Sequence, residues 1–244
     1  MSGAMGGVEA IVFDLGGTVL EIRHDALAAI LARHDVAPAA GWERAAERLG
    51  RARMEAAFAA AASRDEVWRT FFEGMMESAG TREEARAGVF EDVVRFHREH
   101  HLWGREFAGM GDAVLALRAG GYRTAVISNS DGRAPEVLER LGLLARFELV
   151  IDSHEVGVEK PAPGIFRLAC ERLGLPPERC AYVGDVMAFD VLGARAAGLV
   201  PVLFDAYGSY DDVPAGIARA SGPAELLALF PGRAALAPRA QGAA

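Results

Sequence analysis

The segment that decides the fold is Val8-Glu9-Ala10-Ile11-Val12-Phe13, which is followed directly by Asp14-Leu15-Gly16-Gly17-Thr18. The first part is apolar and rich in β-branched residues, a pattern that is typical of a buried parallel strand. The paired glycines after it predict a turn. The sequence therefore predicts a central strand that carries a carboxylate, Asp14, at its carboxyl end.

Strand and helix signals alternate along the chain after Gly109. Such alternation predicts right-handed crossovers and a parallel sheet that helices cover on both faces. The predicted fold class is therefore α/β. The predicted strands are 122–127, 147–151, 180–183 and 200–204, and the predicted helices are 112–119, 135–141, 163–173, 189–197 and 224–230.

The stretch from about His24 to His101 has a different character, because it is rich in Ala, Arg and Glu and lacks strand signals. Its apolar residues recur at helical spacing, which predicts an all-α block of about four helices. Since the first strand belongs to the sheet, this block is an insertion. We expect residues 1–22 and 105–244 to form the core and residues 23–104 to form a helical cap.

The composition bounds the class of protein. The chain has 244 residues, of which 51% are hydrophobic and 25% are charged, as in globular proteins. Its formal net charge is −8, with a pI near 5.3. An acidic chain of this kind argues against nucleic acid as a partner, because binding to phosphate backbones needs a basic face. An anionic substrate would have to be attracted by a local site.

Two cysteines, Cys170 and Cys180, are too few for a disulfide framework, which favours the reducing cytoplasm as the location. The first seven residues lack the features of a signal peptide. No apolar run has the length that crosses a bilayer, so we expect no membrane partner. The Ala- and Pro-rich tail from Gly232 onward is predicted to be disordered. A monomer and a homodimer both remain open.

Residues that can carry chemistry follow the predicted strands. Ligands of open parallel sheets bind outside the carboxyl ends of the strands. We therefore expect three carboxylates, a hydroxyl group and a lysine to converge at one edge of the sheet. The carboxylates are those of Asp14, Asp185 and Asp190, the hydroxyl is that of Ser128, which Asn129 follows, and the lysine is Lys160.

Each of these residues taken alone also has an ordinary structural interpretation. An Asp after a strand is often a turn residue, and a Ser-Asn pair often caps a helix. A lysine before a proline is often a solvated loop residue. All the ordinary interpretations would have to hold together at one end of one sheet, so their coincidence favours a functional site.

Phosphoryl transfer explains the whole set. A carboxylate such as Asp14 can attack phosphorus and form an acyl phosphate, which splits one difficult step into two. Positive charge must offset the repulsion, and Mg²⁺ prefers carboxylate and carbonyl oxygens. Asp14 and Asp185 could bind Mg²⁺ directly and Asp190 through water. Lys160 would add positive charge and the Ser128 hydroxyl would donate a hydrogen bond.

Four segments resemble the four motifs of the haloacid dehalogenase (HAD) superfamily, in the same order. The resemblance extends from Val8 to about Phe204, and the helical insertion is similar to the four-helix cap of one subgroup. It implies a Rossmann-like core, Asp14 as the nucleophile, Mg²⁺ and, most often, phosphatase activity on a small phosphorylated metabolite. The segments are Ile11–Thr18, Val126–Asn129, Glu159–Phe166, and Tyr182–Asp185 with Asp190.

The resemblance also assigns roles to residues beside the nucleophile. It implies that the Gly16 carbonyl binds Mg²⁺ together with the three aspartates. Gly17, Thr18 and Asn129 are expected to contact the phosphoryl group. Phosphatases of the family usually carry a second Asp where this chain has Gly16, and that Asp acts as general acid and then base.

The Gly16 position leaves two alternatives to a phosphatase open. General acid–base catalysis is worth about 10²–10⁴-fold, so its loss could leave a phosphate-binding or regulatory protein with weak turnover. Family dehalogenases also lack the second Asp, which allows a metal-independent 2-haloacid dehalogenase. Those enzymes tend to lose the acidic residue that Asp185 matches. Because Asp185 and Asp190 are both present, the sequence favours Mg²⁺ and phosphate.

The cap is expected to select the substrate and to exclude water when it closes. A basic cluster near its return to the core could reach a phosphate or carboxylate, or could be a solvated helix face. The three tryptophans are predicted to belong to the core of the cap. The cluster comprises His97, Arg98, His100, His101 and Arg105, and the tryptophans are Trp42, Trp68 and Trp103.

Overall fold

The computed structural model describes residues 5–232. Its main sheet has six parallel strands in the order β5-β4-β1-β6-β7-β8, so the strand that precedes Asp14 lies inside the sheet. All five residues of β1 are buried, as its apolar composition requires. The six strands are β1 (Ala10–Asp14), β4 (Arg123–Ser128), β5 (Leu149–Asp152), β6 (Cys180–Gly184), β7 (Val200–Phe204) and β8 (Ala218–Ala220).

Helices cover both faces of this sheet. Successive side chains of β1 alternate between the faces. Ile11 and Phe13 pack on one side, and Ala10 and Val12 on the other. The first face is covered by α5 (Met110–Ala119), α6 (Ala134–Arg140) and α10 (Pro223–Leu229), and the second by α8 (Pro163–Leu173) and α9 (Leu192–Ala197). The α/β prediction is confirmed.

The insertion between β1 and β4 contains four helices with an apolar core of their own. The second and third helices approach closely at two glycines, since a Cβ on Gly74 would lie 2.8 Å from the Gly50 Cα. This cap is the all-α insert that the sequence predicts. Its helices are α1 (His24–Arg33), α2 (Trp42–Ala59), α3 (Arg64–Ser78) and α4 (Glu83–His100).

Two short antiparallel strands join the cap to the core. Strand β2 (Leu20–Glu21) pairs with β3 (Arg105–Glu106), so that the chain enters and leaves the cap side by side. The Glu21 and Arg105 side chains form an ion pair of 2.7 Å. The pair lies near the predicted boundary between the core, residues 1–22 and 105–244, and the cap, residues 23–104. These domain bounds stay a prediction.

Several elements differ from the prediction. The short helix α7 (Ser153–Val156) and the edge strand β8 were not predicted. The predicted helix 189–197 divides into a π-helical turn, Met187–Val191, and α9. Within the turn, the Val186 N–H donates to the Asp190 carboxylate at 2.9 Å, which fixes Asp190 towards the sheet. The predicted disordered tail beyond Gly232 lies outside the described residues. Among residues 5–232, no helix has the length and hydrophobicity to span a membrane.

Candidate active site

Three buried carboxylates meet at the carboxyl edge of the sheet. Asp14 ends β1, Asp185 follows the last residue of β6, and Asp190 lies in the π-helical turn. One carboxylate oxygen from each lies within 4.8 Å of the others. Strands β1 and β6 are parallel neighbours in the sheet, so their carboxyl ends bring Asp14 and Asp185 together.

Lys160 enters the cluster from the loop before α8. Its Nζ contacts the Asp14 carboxylate and lies 2.7 Å from Asp190 Oδ1. The side chain is only 4% exposed, so these two carboxylates replace water around the ammonium. The structure thus joins the predicted lysine to the predicted nucleophile.

Asn129 positions Lys160. Its side-chain amide donates to the Lys160 carbonyl at 2.9 Å and accepts from the Lys160 N–H at 2.8 Å. Both ends of the amide therefore bind the Lys160 backbone, and the second N–H of the amide is still a possible donor to a phosphate, so the predicted contact stays a prediction. Ser128, also predicted to contact the phosphoryl group, is buried and lines the cavity beside Asp14.

Thr18 and Gly17 lie against Asp185. The buried Thr18 hydroxyl donates to Asp185 Oδ1 at 3.4 Å. Gly17 has a φ of +89°, and a Cβ at this position would collide with the Asp185 carboxylate. Glycine satisfies both the backbone conformation and the close approach. The structure therefore places these two residues on the Asp185 side of the cluster.

The cap contributes an arginine that the sequence did not single out. Arg51, on α2, is buried, and its guanidinium forms an ion pair with Asp185 and donates to Glu47 at 2.9 Å. The other carboxylate oxygen of Glu47 forms a hydrogen bond of 3.0 Å with the His24 ring. The only signal in the sequence was the spacing of Glu47 and Arg51, which places both on one face of a helix.

Burial dominates the electrostatics of the cluster. It raises the pKa of Asp14 to about 6, with Lys160 opposing the shift and Asp190 adding to it. Burial also raises the pKa of Asp185 well above its ordinary value, although Arg51 opposes this. Burial alone would lower the pKa of Lys160, but Asp14 and Asp190 outweigh it and raise the pKa. Lys160 is therefore held as an ammonium.

The donor set fits one Mg²⁺ ion. Four buried carboxylates, those of the three aspartates and Glu47, face two cations, Lys160 and Arg51, among the described residues. When all are ionised, two negative charges remain uncompensated, and a divalent cation would balance them. Oxygen-only ligands are also those that Mg²⁺ prefers. Because Arg51 contacts Asp185, the ion and the guanidinium would compete for that carboxylate.

Gly16 lies beside Asp14 in the wall of the cavity, under the ring of Trp103. A Cβ on Gly16 would be 2.9 Å from Trp103 Cδ1, which is closer than carbon atoms pack. Trp103 also contacts the apolar clusters of the core and of the cap. The prediction that places it in the cap core is therefore incomplete, because the ring also covers the residue two positions after Asp14.

A cavity of about 620 Å³ opens above the carboxylate cluster. The core supplies its polar floor, and the cap supplies much of its apolar wall. A volume of this size suits a small organic ligand. The wall includes Met54, Phe58, Val67, Trp68, Phe71 and Trp103 from the cap region and Phe189 from the core.

A family model of haloacid dehalogenase-like hydrolases matches residues 8–198. The chain belongs to this family. The resemblance of the four motifs is thereby confirmed, and so is the Rossmann-like fold, which solved structures of the family share.

Several named relatives of this HAD-like hydrolase are phosphatases. It is 38% identical over 122 residues to the glyceraldehyde 3-phosphate phosphatase of Methanopyrus kandleri, covering 50% of this chain and 52% of that protein. It is 37% identical over 138 residues to the phosphoserine phosphatase of Thermus thermophilus, covering 56% and 53%. The chain spans about half the length of the curated relatives it matches.

A solved structure matches much more of the hydrolase. The HAD-hydrolase YfnB of Bacillus subtilis, in a form bound to magnesium, has a TM-score of 0.67 and covers 91% of this chain and 98% of that one. The identity is 20%, so the likeness shows the fold, including the cap.

The predicted basic cluster of the cap divides into two parts in the HAD-like hydrolase. His97 and His101 line the cavity, whereas Arg98, His100 and Arg105 are exposed. The Leu102 N–H donates to His97 Nδ1 at 3.2 Å, so the neutral ring carries its proton on Nε2, 3.6 Å from Asp131. A nitrogen that carries a proton cannot bind a metal, which argues against a metal site formed by His97, His101 and Asp131.

His97 should make the hydrolase sensitive to acid. Burial, with a smaller contribution from His101, lowers the pKa of His97 from 6.5 to about 4. The folded state therefore binds fewer protons than the unfolded state between these values. The stability that His97 contributes is complete above pH 6.5 and is lost as the pH falls towards 4.

Thermal unfolding of the variant His97→Gln tests this dependence. We expect its melting temperature to fall less than that of the unaltered protein between pH 7 and pH 4.5. His100→Gln is the matched control, because His100 is on the same helix and its side chain is 57% exposed. Parallel curves for all three proteins would contradict the prediction.

Lys160 is the single lysine of the chain, whose other 25 basic side chains are arginines. Lysine presents a compact point charge, whereas arginine presents a broad planar fork. A composition that uses arginine elsewhere and lysine here indicates that this position requires the smaller group. The residue count is therefore a second signal in the sequence, besides its motif, that distinguishes Lys160 from the other basic side chains.

Proposed function

We propose that the chain is a Mg²⁺-dependent phosphatase that acts on a small phosphorylated metabolite through an aspartyl-phosphate. The observation that carries the proposal is the contact between the Lys160 ammonium and the Asp14 carboxylate at the floor of the cavity. This contact supports a nucleophile and a positive charge for the phosphoryl oxygens at one point. The phosphatase names of its relatives support the same activity.

Asp14 is the proposed nucleophile. One of its carboxylate oxygens forms a bond to phosphorus while the bond from phosphorus to the leaving oxygen breaks. Lys160 and the Ser128 hydroxyl stabilise the charge on the transferred group. Water then attacks phosphorus, and the bond to Asp14 breaks to give inorganic phosphate and the free carboxylate.

Asp14, Asp185, Asp190 and the Gly16 carbonyl would hold the metal. Bound Mg²⁺ supplies positive charge beside the phosphoryl oxygens, as in other phosphoryl-transfer sites. Thr18 donates to Asp185 and Asn129 holds the backbone of Lys160, and the contact of both residues with the phosphoryl group stays a prediction. A cytoplasmic location and a monomeric or homodimeric state stay predictions.

The variant Asp14→Asn tests the proposal. With 4-nitrophenyl phosphate and Mg²⁺, we expect the unaltered protein to release phosphate, and we expect Asp14→Asn to give only the rate of the buffer blank. The amide keeps the shape of the side chain but is a far weaker nucleophile. Asp112→Asn is the control, because the Asp112 side chain is 89% exposed.

Two other outcomes would support the alternatives. Thermal stabilisation by phosphate and Mg²⁺ without product would indicate a binding or regulatory protein. Release of halide from 2-chloropropionate in the presence of a chelator would indicate a dehalogenase. Equal phosphate release by the unaltered protein and Asp14→Asn would remove Asp14 as the nucleophile.

A further inference from the structure

Trp103 occupies the space that a side chain on Gly16 would need. Its ring lies 3.0 Å (Nε1) and 2.9 Å (Cδ1) from the point where a Cβ on Gly16 would stand. Neighbouring rings hold it, because its centroid is 4.9 Å from that of Trp68 and 6.2 Å from that of Phe72. A carboxyl group at position 16 would therefore require this packed ring to move.

Among the described residues that line the cavity, no side chain replaces the missing carboxyl group of position 16 as a proton donor to the leaving group. The Lys160 ammonium already donates to two carboxylates, which keep it from a leaving group. Burial lowers the pKa of His97 and of His101, which disfavours the protonated, acidic form of both rings. Apart from the three aspartates assigned to the nucleophile and the metal, the carboxyl groups of the lining are paired with arginines or are exposed; they are Glu47, Asp65, Asp131 and Glu159.

This arrangement restricts the leaving group. When the bond from phosphorus to the leaving oxygen breaks, its electron pair stays on that oxygen. A strongly basic alkoxide needs a proton from an acid at that moment, and such assistance is worth about 10²–10⁴-fold. A weakly basic oxygen, such as a phenolate or carboxylate, leaves without it.

The cavity wall restricts the rest of the substrate. The wall includes five Phe and Trp side chains, of which Phe58 from the cap meets Phe189 from the core with ring centroids 4.6 Å apart. Hydroxyl groups of a polar substrate that faced these rings would lose their hydrogen bonds to water. An apolar or aromatic group would instead gain by leaving water.

We propose that the substrate carries its phosphoryl group on a weakly basic oxygen of an apolar group, as in an aryl phosphate or the acyl phosphate of an apolar acid. This inference rests on the proposed phosphatase function. In the first step, Asp14 and R–O–PO₃²⁻ give the aspartyl-phosphate and R–O⁻, with no proton transferred. In the second, water and the aspartyl-phosphate give H₂PO₄⁻ and the Asp14 carboxylate.

Two matched pairs of substrates test the two halves of the inference. Phenyl and benzyl phosphate share the ring but differ in the basicity of the leaving oxygen, and we expect kcat/KM to favour phenyl by about 10²–10⁴-fold. Benzoyl and acetyl phosphate share the leaving carboxylate but differ in apolar size, and we expect a lower KM for benzoyl phosphate. Phosphoserine and glyceraldehyde 3-phosphate should be poorer than phenyl phosphate.

The outcomes separate this inference from the function on which it rests. Phosphate release from benzyl phosphate or phosphoserine at least as fast as from phenyl phosphate would overturn the inference and leave the phosphatase intact. Equal KM values for benzoyl and acetyl phosphate would overturn its apolar half. Release from none of the compounds would overturn the phosphatase and the inference together.

A double variant supplies an independent test. Gly16→Asp with Trp103→Gly opens the space that a carboxyl group needs beside Asp14. We expect it to raise the ratio of benzyl to phenyl turnover at least tenfold, whereas Gly16→Asp alone and Trp103→Gly alone should not. The ratio is measured within one sample, so a partly unfolded variant still gives a valid value. The same ratio in all four proteins would contradict the assigned role of Trp103.

Discussion

The variant Lys160→Met is expected to lose about 10²–10³-fold in kcat, the usual effect of removing one group that stabilises transition-state charge. The variant should also be less stable by roughly 3–5 kcal/mol in the absence of metal, because removal of the ammonium leaves buried carboxylates without their partner. Asp14 and Asp190 both contact the Lys160 Nζ in the structure. The assay is turnover of an aryl phosphate, and the stability is measured by denaturant unfolding in a chelator.

Lys160→Arg should not restore activity, although it keeps the charge. The side chain at this position is 4% exposed and presents one nitrogen to two carboxylates. A guanidinium is wider, and its planar fork cannot occupy that point without displacing neighbours. The control is Arg167→Lys, an exchange of the same two residue types at an exposed position of α8. Activity of Lys160→Arg within tenfold of the unaltered protein would contradict the interpretation.

The variant Arg51→Met tests whether the Arg51 guanidinium and Mg²⁺ compete for Asp185. Without metal it leaves Asp185 and Glu47 buried and unpaired, so we expect a loss of roughly 3–5 kcal/mol in stability. With Mg²⁺ the ion would replace the guanidinium beside Asp185. The rise in melting temperature on adding Mg²⁺ should therefore be larger in Arg51→Met than in the unaltered protein.

Arg53→Met is the matched control for this experiment. Arg53 is on the same helix, but its side chain is 38% exposed and pairs with a half-exposed Glu77. Exposed pairs contribute about 0–1 kcal/mol, so we expect little change in stability or in the response to Mg²⁺. If Mg²⁺ raised the melting temperature equally in all three proteins, Arg51 and the ion would not compete for Asp185.

The sequence allowed prediction of the part of the site that the sheet builds. Asp14 and Asp185 follow strands, and parallel strands deliver their carboxyl ends to one edge whatever the intervening loops do. Asp190 follows the end of β6 in the chain, and Lys160 lies in the segment that follows the end of β5. The order of the motifs therefore contained enough geometry to place four side chains together without any knowledge of the cap.

The part contributed by the cap could not be predicted in the same way. Helix α2 carries several arginines, and only the orientation of the helix over the core decides that Arg51 reaches Asp185. Trp103 precedes β3, so the pairing of β3 with β2 determines where its ring lies. Gly16 lacks a side chain and gave no sign of what covers it. Contacts between distant segments carry the information that periodicity and motifs lack.

The pairing of Leu20 with Glu106 and of Glu21 with Arg105 has a consequence for how such a chain can change during evolution. The ends of the insertion are cross-strand neighbours, so a tight hairpin could close the same gap that four helices now bridge. The sheet domain therefore places little constraint on the length of what is inserted there. A cap could be exchanged for a larger, smaller or unrelated one, and the carboxylates at the sheet edge would keep their positions while a new cavity wall met a new substrate.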